Sequence, residues 1–488
     1  MSTLKRTSLS KYPLLSLLLL GVMLLSACGD STPVSSGSKN VTITLEAPNQ
    51  WNDSGTSFGP AWDAVIAQYE KLNPGIKVKI LVQPLSSFYQ TTTTQLASGT
   101  APDIVFNQAT YKPYMVTSLD SYLSKPNPYA PGRAHWMDWF NQTAFSYKNS
   151  ADANGHVDWV PLNLFDAGLF YNKDAFAKAG VTGPIQTWED WRAASKKLHA
   201  AGYAPLAMDN STIGLFWTWQ SISNPLMAKY YDQWNSYDVS GKAGKNDTLT
   251  AKDYARAIKL GLLTPKLPEF VEALQLMKET FTQDVTQNWS GIKGNSGAGA
   301  NLADFMAGRA AMVWGANFGA STVSGASFKV GSMGWPQITS ATTPLSMNYP
   351  SQFGVAAGGT SYMIPSTTKG DQLKYAVDFL QFMTAPKYAQ SWITATTAAP
   401  SVETVNAPDV ISAFSAGDWG KAPRQSTLNT AQLTGSLQQD FTQTMQGYLL
   451  GSSNLAATQD ALESAWQRSV TQALNDNPSW KTEDWASK

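Results

Sequence analysis

The chain has 488 residues, with 35 basic against 35 acidic, so its formal charge is zero and charged residues make up only 14% of it. That balance excludes the basic surface on which nucleic-acid binding depends, and a single cysteine excludes any disulfide within the chain. One hydrophobic core stops growing near 250–300 residues, so this length predicts two lobes.

Lys5, Arg6 and Lys11 precede an apolar run from Leu14 to Leu25, broken by Ser16 and Gly21, and small residues Ser26 and Ala27 lead into Cys28. This is the grammar of an exported precursor, and the run falls short of the roughly 20 residues a membrane span needs. Leu25-Ser26-Ala27-Cys28 resembles the lipobox of bacterial lipoproteins, which implies cleavage before Cys28 and lipid on its sulfur. Residues 1–27 are therefore expected to be a signal peptide. Residues 28–40, rich in Ser and Gly, are expected to be a flexible lipid-anchored tether.

Val41 to Leu45 alternates as a first strand, and Pro60 opens a helix with Trp62, Val65, Ile66 and Tyr69 on one stripe. Asn73-Pro74-Gly75 ends it, because proline lacks a donor and glycine accepts positive φ. A strand at Ile76–Ile80, a helix over Gln90–Ala97 and a strand at Ile104–Phe106 follow. This βαβαβ order predicts a parallel sheet covered by helices. Further along, Leu169–Tyr171 reads as a strand, and Thr187 with Asp190 reads as a variant capping box. Helical stripes run through Phe270, Leu274, Met277 and Phe281, and through Leu373, Val377, Leu380 and Met383. Ala311–Trp314 reads as a short buried strand, and the Gly/Ser stretches at 290–300 and 319–327 read as loops.

Five segments then spell a family. Tyr69-Glu70-Lys71-Leu72-Asn73-Pro74-Gly75-Ile76 resembles the first helix and second strand of extracellular solute-binding proteins that serve ABC sugar importers. Ser98-Gly99-Thr100-Ala101-Pro102-Asp103 is similar to their SGxxPD segment, and Tyr171-Asn172-Lys173-Asp174-Ala175-Phe176-Ala177-Lys178-Ala179-Gly180 to their YNKDxFxKAG signature. Pro184 with Thr187-Trp188-Glu189, and Phe305 to Met312, complete the set. The resemblance implies an α/β, two-lobed periplasmic-binding-protein-like fold, each lobe a sheet flanked by helices, with ligand enclosed by hinge closure. By the same resemblance the N-terminal lobe takes residues 41–158 and 315–370, and the C-terminal lobe 159–314 and 371–488. Crossings are then expected near Trp159–Leu162, Met312–Ala316 and 365–376. The implied partners are a small carbohydrate, ABC permease subunits with a cytoplasmic ATPase, and the membrane through the N-terminal lipid. The protein is expected to be an extracytoplasmic monomer with no cofactor or metal.

The chain also holds 18 tryptophans and 19 tyrosines. Flat rings of this kind fill cores, and they also stack on the C–H faces of sugars. Ligands in such sheets bind beyond the strands' carboxyl ends. Candidates there are Asn49 and Trp51 after the first strand, Asn107 and Tyr111 after the third, and Asp166 before the Tyr171 strand. Phe216, Trp217 and Trp219, then Trp314, Asn317 and Phe318, and the backbone at Gly359 complete the set. Trp219 and Phe318 stand where the family has ring platforms. Trp62, Trp188, Trp191 and Trp392 lie on helical stripes and are expected in the cores. Asn107 replaces an aromatic common in maltodextrin binders, which weighs against a long oligosaccharide. The competing class is a secreted glycoside hydrolase with two carboxylates, but neither a Gly-x-Ser-x-Gly elbow nor a His-Glu-x-x-His motif is present. His135, His156 and His199 are scattered, and Asp152-Ala153-Asn154-Gly155 lacks the closing acid of a calcium loop and reads as a turn. A ligand-sensing lipoprotein for a receptor kinase would share the same fold.

Overall fold

Val41, Ile43 and Leu45 point into the core along β1 (Val41–Pro48), as their alternation requires. The helix Pro60–Leu72 starts with proline in its first turn and buries Trp62, Val65, Ile66 and Tyr69. Gly75, at φ 90°, then turns the chain into β2 (Ile76–Gln83). The helix Leu85–Ser98 ends on Gly99 in the left-handed region, and β3 (Ile104–Phe106) follows. Both β2 and β3 pair with β1 in parallel, one on each side. In the computed structural model the described residues are 40–48, 58–109, 111–152, 154–238, 240–246, 249–292, 300–351, 359–414 and 436–488. All belong to one unit, Asn40–Lys488.

The remaining strands are β4 (Trp159–Pro161), β5 (Asn163–Leu164), β6 (Ala167–Asn172), β7 (Ala204–Ala207), β8 (Ala310–Ala316), β9 (Val330–Met333), β10 (Ser361–Met363) and β11 (Ala399–Pro400). They form a five-stranded sheet in the order β2-β1-β3-β10-β4, a four-stranded sheet β7-β8-β6-β9, and a two-stranded ribbon β11-β5. β10 runs antiparallel to both β3 and β4. β4 is therefore parallel to β1, β2 and β3, and all four carboxyl ends face the segment 162–166 that leaves this sheet. In the second sheet Ala167 pairs with Ala316 and Ala207 with Val313, so the start of β6 and the ends of β7 and β8 meet that same segment.

Each sheet has its own core, and the boundaries differ from those the sequence suggests. Residues 315–338 belong to the second lobe: β8 is an interior strand of its sheet, and Met333, Trp335 and Ile338 join its core. β8 is buried along its whole length within this sheet, so no crossing falls at Met312–Ala316. Residues 370–405 belong to the first lobe. The helices Gly370–Met383 and Pro386–Thr396 pack Phe379 against Tyr69 and Trp392 against Trp62, edge to face. The three crossings thus fall at 162–166, between the second lobe and Thr360, and beyond Val405, where Val410 and Phe414 join the far face of the second sheet. The helices Ser436–Leu449 and Leu455–Asp476 complete the second lobe. Within the 319–327 stretch, Ala320–Val323 forms a short helix rather than a loop. Among the described residues no helix is long and apolar enough to cross a membrane.

Candidate functional site

Three chain segments meet side by side where the lobes join. β5 pairs with β11, and Leu162 N–H donates to Thr360 O at 2.7 Å. The Asn163 carboxamide accepts from Thr360 N–H. Gly359 lies so close that a Cβ there would stand 2.4 Å from Asn163 O, which only glycine avoids. Ser401 Oγ donates to Pro161 O at 2.9 Å and contacts Leu162 O at 3.0 Å. From the second lobe, the fully buried Asn317 accepts from Asp166 N–H at 3.1 Å and donates to Leu164 O at 3.2 Å. Its own N–H reaches Asp166 O at 2.8 Å. Asn317 and Gly359 thus fasten the crossing segments.

On the second-lobe side the crossing segment presents Phe165. Its ring and that of Trp217 are both half-buried, with centroids 5.0 Å apart and planes at 69°. Behind them Trp314 stands 6.3 Å from Trp217, and Trp335 stands 5.4 Å from Trp314. Trp217 ends a π-helical turn, Thr212–Trp217, that follows β7. The turn is rooted in Asp209, which is 1% exposed. One Asp209 oxygen accepts from Ser211 N–H at 3.0 Å and the other from Asn301 N–H at 3.0 Å. Burial pushes the Asp209 carboxyl up from its ordinary range, against the pull of these bonds.

On the first-lobe side, Glu46 lies near the end of β1 and is 1% exposed. Its oxygens accept from Gln83 at 3.1 Å, Gln95 at 3.2 Å and Thr92 at 3.3 Å. A lone acid near the end of β1, on the face opposite Val41, Ile43 and Leu45, was the available sequence signal for this cluster. Asn107 sits at the end of β3, half-buried, with its N–H donating to Ser361 O at 2.8 Å.

The expected residues divide accordingly. Asn107, Asp166, Trp217, Trp314 and Asn317 gather around the crossing, with Asp166, Trp314 and Asn317 buried. Trp219 does not: it is 1% exposed and packs on Phe270 at 4.8 Å and Phe441 at 5.5 Å, inside the second core. Phe216 joins it there, 5.6 Å from Phe441. Phe216 and Trp219 are three positions apart and so share one face of the helical segment, the one that packs on the core. Tyr111 is spent on Asp158, 3.3 Å from its hydroxyl, and packs against the first core. Asn49, Trp51, Cys28 and the side chain of Phe318 lie outside the described residues. Trp62, Trp188, Trp191 and Trp392 are buried, as their stripes predict. Gly155 N–H closes a turn on Asp152 O at 2.9 Å. Among the described residues no three His, Cys, Asp or Glu side chains converge to hold a metal.

Residues 52–390 match the sequence profile of the bacterial extracellular solute-binding proteins. The multiple sugar-binding protein of Streptococcus mutans is 23% identical over 384 residues, 78% of this chain and 80% of that one. The fold is similar to that of the apo form of RafE from Streptococcus pneumoniae, with a TM-score of 0.63 and 18% identity over 89% of this chain and 98% of that one. It is also similar to the cyclic α-maltosyl-1,6-maltose binding protein of Arthrobacter globiformis, with a TM-score of 0.59 and 17% identity over 88% and 99%. The match over most of its length, with two sheets joined by three crossing segments, makes this chain a member of the bacterial extracellular solute-binding protein family.

Proposed function

We propose that the protein captures a mono- or small oligosaccharide, or a related polyol, between its lobes and releases it unchanged to an ABC importer. The carrying observation is the half-buried Phe165–Trp217 pair, set where the second sheet meets the crossing segment. Rings left partly open at such a junction offer flat apolar faces to sugar C–H groups. Asp166 and Asn107, on the two sides, supply a carboxylate and an amide for hydroxyls. The names of the relatives agree with this ligand class: one is a multiple sugar-binding protein, and RafE has been solved with raffinose. The importer would contribute permease subunits and a cytoplasmic ATPase. The protein would work as a monomer, held to the membrane by lipid on Cys28. No catalytic step is required by any group at the junction.

A thermal-shift screen over sugars, amino acids, peptides and glycerophosphodiesters tests the ligand class. A carbohydrate at 100 times its dissociation constant is expected to add about 2.7 kcal/mol of stability. Flat responses to every carbohydrate, together with a clear shift from another class, would overturn the assignment.

A further inference from the structure

We propose that the C-terminal helix Ser436–Leu449 positions the sugar-facing ring of Trp217, and that Phe441 is the residue through which it does so. This rests on Trp217 facing the ligand, as proposed above. Phe441 is 7% exposed and touches the two aromatic residues on either side of Trp217 in the chain. Its ring centroid lies 5.6 Å from Phe216, edge to face, and 5.5 Å from Trp219. Trp217 itself packs on Phe165 and, edge to face, on Trp314. Trp219 is backed in turn by Phe270 at 4.8 Å, and Phe270 by Trp466 of the helix Leu455–Asp476 at 5.5 Å. Both C-terminal helices therefore end in one aromatic stack behind the turn.

The turn needs that support. A π-helical turn is a rare geometry, commonly found at functional sites. Gripping Phe216 and Trp219 from the core side fixes the roll of the segment about its axis. The direction of the Trp217 side chain follows from that roll, so the ring is held in place before ligand arrives. A ligand-facing ring locked by packing behind it loses less freedom on binding than a loose one. The core positions of Phe216 and Trp219 thus acquire a role: they are the roots of the ring that faces outward.

Labelling with 5-fluorotryptophan and recording the fluorine spectrum without ligand tests this. The Trp217 resonance is assigned by its loss in Trp217→Phe, and that of Trp219 in Trp219→Phe. In Phe441→Ala the Trp217 resonance is expected to shift or broaden, while those of Trp62 and Trp136 in the first lobe stay in place. The Trp219 resonance, in direct contact with Phe441, moves even if Phe441 only fills space, so Trp217 is the deciding signal. An unmoved Trp217 resonance overturns the proposal. If Phe441→Ala does not fold, Phe441→Leu, which leaves a smaller gap, is read by the same criterion. Adding raffinose, maltose or glucose to the unmutated protein separates the two claims. If a sugar that stabilises the protein leaves the Trp217 resonance unmoved, the ring does not face ligand, whatever Phe441 does.

Discussion

Asp158, just before β4, is 4% exposed and accepts one hydrogen bond from Tyr111, at 3.3 Å. Its second oxygen finds no hydrogen-bond donor among the described residues. Burial is the main cause that pushes its carboxyl up to about 6, with Asp152 and Asp120 adding to it and the Tyr111 bond opposing it. The folded state therefore holds this proton more tightly than the unfolded chain does. The group's contribution is fully present below about pH 4 and is lost as pH rises through 6. From an ordinary 3.8 to about 6, the ionised form costs roughly 3 kcal/mol. Asp158→Asn keeps an acceptor for Tyr111 and removes the charge. Thermal melts from pH 4 to 8 are expected to show a flatter slope and a higher melting temperature at pH 7.5. An unchanged slope would mean that the Asp158 carboxylate is solvated. Asp209 and Asp284, also raised by burial, leave a residual slope of the same sign.

At the scale of elements, Asn317 clamps residues 164–166, which run directly into β6, to the end of β8. Asn317→Asp replaces the donor to Leu164 O by an acceptor and buries a charge at full depth. Removing one partner of a buried bond costs about 1–3 kcal/mol, and more when a charge is left behind. The melting temperature at pH 7.5 is expected to fall by at least a few degrees, with partial recovery as pH drops and the carboxyl protonates. Equal melts for variant and parent would show that the clamp carries no load. This clamp was not legible in the sequence, where Asn317 reads as a ligand-facing amide, because its partners lie about 150 residues away. Local signals read well. Pro60 opens its helix, Asn73-Pro74-Gly75 ends it, and Thr187 caps the helix Trp188–Ala200 with Asp190 as its partner, each where it was expected. Lobe membership read poorly for residues 315–338 and for the helix Gly370–Met383, since a buried apolar run looks the same on either side of a hinge. Trp217 and Trp219 differ by two positions, which puts them on roughly opposite sides of a helix, and composition does not say which of the two faces the core.

For the whole molecule, two cores joined by three narrow crossings leave hinge closure as the cheapest large motion, since it breaks neither core. A sugar bound between the lobes would stabilise the closed arrangement only by contacts made to both sides. The rings of Phe165 and Trp217 belong to one side, and Asn107 to the other. Calorimetric titration of the parent, Trp217→Ala and Trp219→Ala with the carbohydrate that stabilises the protein most tests this account at its centre. The account predicts one site per chain and unaltered sugar recovered afterwards. It predicts about a tenfold loss of affinity in Trp217→Ala, or roughly 1.4 kcal/mol, with little change in its ligand-free melting temperature. Trp219→Ala should instead lose about 3–5 kcal/mol of stability. Full affinity in Trp217→Ala, or the absence of any carbohydrate that binds, would contradict it.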